Sequence, residues 1–125
     1  MEVKSVDPGS FVIAVNEPDH IVLSVTIGNA QIGGNVVLLD NKQIGKGEIK
    51  HFDLGLGGDL IGKTLTLITN VLDVNPDSNK ISITHFFFNG NPPVFSYPPL
   101  VENEMEVDNN GDVLSLNATY QFVKK

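Results

Sequence analysis

The chain of 125 residues contains no cysteine, no tryptophan and no arginine. Without cysteine there is no disulfide, no thiolate metal site and no thiol nucleophile. With no tryptophan, and only Tyr97 and Tyr120 as tyrosines, the rings that stack on sugars are scarce, which argues against a carbohydrate surface. Arginine is the side chain suited to a bidentate grip on phosphate. Its absence, with 8 lysines against 15 acidic residues and a net charge of −7, leaves no basic patch to neutralise phosphates. Neither nucleic acid nor an anionic membrane is therefore an expected partner. No apolar run approaches the length of a membrane-spanning helix. Met1-Glu2-Val3-Lys4-Ser5 has neither the basic lead nor the apolar stretch of a signal peptide. The expected location is cytoplasmic, with export that needs no cleaved leader as the alternative.

Helical periodicity is missing too; the clear period is two. Thr64–Thr69, Lys80–Thr84 and Glu102–Val107 alternate apolar with polar residues, and Gly, Asn, Asp and Pro fill the gaps. Such a pattern predicts half-buried strands in an antiparallel arrangement. About eight strands are expected: Phe11–Val15, His20–Ile27, Asn35–Leu39, Glu48–Leu54, Thr64–Leu72, Lys80–Phe88, Val101–Asp108 and Val113–Val123. A one-turn helix fits the glycine-rich connection Gly55–Lys63. The length suits one domain with a real core. The expected fold is a single all-β antiparallel sandwich over residues 1–125. Length and strand number are similar to those of immunoglobulin-like, C2-like and jelly-roll sandwiches, a likeness of fold that carries no function.

Two hairpins are predicted. Asn110-Gly111 is the dipeptide favoured by a type I′ turn, in which both central residues have φ > 0. Counting outward from it pairs Val107 with Leu114 and Met105 with Leu116 on one face, and Glu106 with Ser115 on the other. A one-residue slip would set acids against leucines. In the same way Leu65, Leu67 and Val71 share parity with Ile81, Ile83, His85 and Phe87, predicting a hairpin of Thr64–Leu72 with Lys80–Phe88. Its opposite face carries Ile68, Phe86 and Phe88, so both faces demand cover. A segment with two Pro-Pro pairs and the aromatics Phe95 and Tyr97 follows directly. Prolines exclude a central strand and favour an extended loop. Either the loop lies over the protein's own surface, or Ile68, Phe86, Phe88, Phe95 and Tyr97 form an apolar surface for a protein partner or a second copy.

Several short motifs carry less than their spelling suggests. Gly57–Thr64 has the spacing of a phosphate-binding P-loop, but that chemistry needs a helix starting at the Lys-Thr pair, and Thr64 opens a strand instead. Asp73, Asn75, Asp77 and Asn79 occupy the first, third, fifth and seventh places of a calcium loop. Ser78 replaces its glycine and Thr84 its bidentate glutamate, and an Asx-rich turn explains the same residues. Glu102, Glu104, Glu106 and Asp108 line one face of a strand, as charges do on an edge protected from aggregation. His20, His51 and His85 have no metal-ligand spacing; His85, among apolar residues, suits a hydrogen-bonded core position. No nucleophile elbow and no apolar-set carboxylate pair is visible.

The sequence thus predicts a non-enzymatic module for protein–protein contact or structural assembly, with no cofactor. The alternative is a domain that binds Ca²⁺ or a small ligand through Asp73, Asn75, Asp77 and Asn79.

Overall fold

A computed structural model describes residues 2–28, 31–77, 80–89, 101–107 and 110–125. Among them run ten strands: β1 (Val3–Val6), β2 (Ser10–Val15), β3 (His20–Ile27), β4 (Ile32–Leu39), β5 (Lys42–Gly47), β6 (Phe52–Leu56), β7 (Thr64–Leu72), β8 (Lys80–Asn89), β9 (Val101–Glu106) and β10 (Val113–Lys124). A single turn of helix, α1 (Gly57–Leu60), precedes β7. Two sheets pack face to face as an all-β sandwich. The first has the order β1-β10-β7-β4-β5, with β2 also paired to β10; the second has the order β6-β3-β8-β9.

Alternation sets the inward faces. In β7, Leu65, Leu67, Thr69 and Val71 are buried; in β8, Ile81, Ile83, His85 and Phe87 are; in β10, every second residue from Leu114 to Phe122 is. These side chains meet in one core cluster with Ile13, Val15, Ile21, Leu23 and Val37. Phe87 and Phe122 pack edge to face across the sheets with centroids 6.4 Å apart. Each fully buried Leu, Ile or Phe contributes about 1.5–3 kcal/mol relative to exposure, so the shared cluster dominates the packing.

The pairing differs from the expectation in both hairpins. Strands β7 and β8 lie in different sheets, and so do β9 and β10. β7 pairs with β10, Leu72 opposite Val113 and Leu65 opposite Tyr120, while β8 pairs with β3 and β9. The physical reason is that period two fixes which side chains face the core, not which strand lies alongside. Two strands facing one core from opposite sheets show the same matching as two neighbours. Gly111 has φ +93°. A turn with both central residues at positive φ lies at Asp40-Asn41, φ +48° and +67°, joining β4 to β5.

The expected strand Glu48–Leu54 is also replaced. β5 ends at Gly47, β6 begins at Phe52, and His51 between them has φ +49°. Its N–H is held by Ser24 Oγ at 3.0 Å. The glycines of the P-loop-like stretch serve packing. Gly57 sits against the β2–β3 turn, where a Cβ would stand 2.1 Å from the Asn16 carbonyl oxygen. Thr64 opens a strand. Among the described strands β9 stands at the edge of the second sheet. Among the described residues no helix is long and apolar enough to cross a membrane.

Candidate functional site

The outward face of the first sheet is built by register. Ile32 lies opposite Leu72, Leu72 opposite Val113 and Val113 opposite Val3. One apolar row therefore crosses four strands on the solvent side. Its two ends are open, Ile32 at 58% and Val3 at 59% exposure, and a shallow depression of about 470 Å³ lies over Ile32, Gly33, Asn70, Leu72 and Val113. Four residues along, Val36 lies opposite Ile68 and Lys46 opposite Val36.

Between and beyond these rows the same face carries Gly34, Asn70, Ser115 and Ser5, then Thr66, Thr119 and Ser10, then Gln121 and Val12. None of these outward residues is Asp or Glu, in a chain with 15 of them. Gly33 on β4 lies close against β7. A Cβ there would stand 2.2 Å from the Asn70 carbonyl oxygen and 3.1 Å from Val71 Cα, so only glycine lets β4 approach β7 this closely.

The interior holds a chain of polar groups that joins the sheets. Asn35 Nδ2 donates to the Gly47 carbonyl at 3.0 Å, which fixes the amide and turns Oδ1 toward β7. Thr69 Oγ1 donates to that Oδ1 at 2.7 Å. The Thr69 hydroxyl has one proton, so its contact with His85 Nε2 at 3.2 Å must be donated by the ring. His85 Nδ1 then accepts from the Tyr120 hydroxyl at 2.7 Å. Every group is satisfied with a neutral histidine. Burial lowers the His85 pKa from 6.5 to about 4 and pushes the Tyr120 phenol up. Satisfied polar chains of this kind specify one packing of the core.

At one end of the sandwich Asp73 follows β7 and Asp112 precedes β10. Beyond the last ladder pair the Asp73 N–H donates to the Asp112 carbonyl at 3.0 Å and the Gly111 N–H to the Asp73 carbonyl at 2.8 Å. Both side chains are buried, at 1% and 5% exposure. Asp112 Oδ1 accepts from the Glu2 N–H at 2.9 Å. Neither side-chain oxygen of Asp73 has a partner. The loop after Asp73 is clamped by Gln31, whose Oε1 accepts from the N–H groups of Val74 and Asn75 at 2.7 and 3.0 Å.

Against known protein families, curated proteins and solved structures, the chain matches none. Its function is therefore argued from its own residues.

The expected site residues are divided by the fold. Ile68 lies on the outward face of the first sheet, and Phe86 and Phe88 on that of the second, so these three do not form one surface. Both phenylalanines are half-buried and stack on each other, centroids 6.1 Å apart. Phe95 and Tyr97 lie outside the described residues.

Of the expected metal ligands, Asp73 is buried and Asp77 exposed, and Asn79 lies outside the described residues. Asn75 Oδ1 accepts from the Asp77 N–H at 3.0 Å, an Asx turn. Among the described residues no three His, Cys, Asp or Glu side chains gather as a metal cluster. Sequence reasoning missed the row of Ile32, Leu72, Val113 and Val3. Leu72 and Val113 end and begin predicted strands, but only the strand order reveals that they are neighbours.

Proposed function

We propose that this domain is a non-enzymatic assembly module that docks the outward face of its first sheet against the same face of a second copy. The observation that carries this reading is the contrast between a net charge of −7 and a face without a single carboxylate among its outward strand residues. Two copies of an acidic protein repel each other over most orientations. Here the outward strand residues meet with no opposed carboxylates, through an apolar row flanked by Ser, Thr, Asn, Gln and Lys46. Like charges juxtaposed in an interface cost several kcal/mol.

The size also suits a stable pair. Five strand positions, spaced about 4.8 Å, and the nine residues of β7, rising about 3.3 Å each, span on the order of 700 Å² per copy. Two such faces bury about 1,400 Å², within the range of specific interfaces. Sheets stack face to face about 10 Å apart, and the small and medium side chains of this face allow that approach.

Sedimentation velocity across the micromolar range tests the reading. The wild type is expected to shift from monomer to dimer with concentration, and Ile32→Lys and Val113→Lys to remain monomeric with unchanged circular dichroism. A wild type that stays monomeric throughout would sink the proposal.

A further inference from the structure

We infer that Asp73 and Asp112 hold a calcium ion at the end of the β7–β10 ladder, a site separate from the docking face. Asp73 is 1% exposed, yet both of its carboxylate oxygens lack a partner. A buried carboxylate without compensation is costly enough to be rare in a stable core. Asp112, whose carbonyl takes the Asp73 N–H, is also a buried acid, with its Oδ1 held by the Glu2 N–H. Two carboxylates close together in a buried setting repel. A cation at the Asp73 carboxylate supplies the partner its oxygens lack and offsets the repulsion from Asp112.

The donors select the ion. The site offers carboxylate and backbone carbonyl oxygens; the chain has no cysteine, and none of the three histidines joins the pair, since His20 contacts Asp53, His51 lies between β5 and β6 and His85 sits in the core chain. Oxygen-only ligands suit a hard cation. An irregular set contributed by two strand ends suits calcium, which accepts variable geometry, better than magnesium, which demands an octahedron. A cavity of about 320 Å³ lined by Glu2, Val3, Lys4, Val107 and Asp112 opens on the Asp112 side and leaves room for water there. The ligands therefore come from two strand ends rather than from the linear loop, in which Asn75 is turned onto its own backbone. With two carboxylates, affinity belongs to the weak class of calcium sites, with Kd on the order of 10⁻⁴–10⁻³ M.

The test is thermal melting of EDTA-stripped protein against CaCl₂ at fixed ionic strength, for the wild type, Asp73→Asn and Asp112→Asn, with isothermal titration calorimetry of Ca²⁺ alongside. The wild type should melt several degrees higher at saturating Ca²⁺, and both variants should lose that shift. In EDTA, Asp73→Asn should melt no lower than the wild type, because the substitution removes a buried, unpartnered charge. An unchanged wild-type melt with no binding heat overturns the inference. So does an equal shift in the wild type and both variants, which would place the ion elsewhere on the acidic surface, and so does a marked loss of stability in EDTA for Asp73→Asn.

Discussion

The Tyr120 hydroxyl, on β10, reaches His85 Nδ1, on β8, at 2.7 Å across the space between the two sheets. It is the one link in the buried polar chain where a proton on histidine and a proton on its partner compete for the same gap. Protonating the ring would force the phenol to turn and accept, inside a closely packed core. The same relationship makes stability depend on pH.

His85 has a folded pKa of about 4 against the ordinary histidine value of 6.5. Between these values the unfolded chain binds a proton that the folded one refuses. This contribution to stability is therefore complete above pH 6.5 and is lost as pH falls toward 4, by about 3 kcal/mol in all. Urea unfolding at a series of pH values should show that slope in the wild type, and it should flatten in His85→Gln. Equal slopes in the two proteins would refute the assignment.

Thr69→Val removes the hydroxyl that accepts from His85 and donates to Asn35. Tyr120→Phe removes the donor to Nδ1. Each leaves a buried polar atom unpaired and should cost about 1–3 kcal/mol. Because both act on one ring, the double variant should lose less than the sum of the two. Strict additivity in the denaturation midpoints would show that the chain does not act as a unit.

Gly33 and its neighbour Gly34 should respond differently to alanine. At Gly33 the new methyl would strike the Asn70 carbonyl oxygen at 2.2 Å, whereas at Gly34 the nearest atom is Gly47 Cα at 3.8 Å. Gly33→Ala should destabilise by about 1–3 kcal/mol, as overpacking does. Gly34→Ala should lie within about 1 kcal/mol of the wild type. Melting curves of the two variants decide the matter, and equal melting temperatures would contradict the close approach of β4 to β7.

The inward faces were legible because alternation is local. Thr64–Leu72 and His20–Ile27 are strands over the expected residues, the helical turn falls inside Gly55–Lys63, and His85 is a hydrogen-bonded core residue. What alternation cannot carry is partnership. Val107 and Leu114 face one core from two sheets, and their matched polarity reads like a hairpin. The strand β5, Lys42–Gly47, was missed because lysine and glycine blur its period on an edge of the sheet. β1 was missed because its lysine and serine, Lys4 and Ser5, interrupt a short apolar segment. The docking face was hidden for the same reason as the pairing. Ile32, Leu72, Val113 and Val3 are distant in the chain and become neighbours only when β10 lies between β1 and β7. Asp73 was legible as a candidate ligand; its isolation beside Asp112 was not, because burial of a loop acid depends on that same strand order.

Strand β10 is the only described partner of β1 and of β2, and it lies between them and β7. During synthesis β1 and β2 thus have no described sheet partner until β10 is made. Until then β7 keeps a bare hydrogen-bonding edge, a template for aggregation. A truncation before Val113 forfeits three strands rather than one.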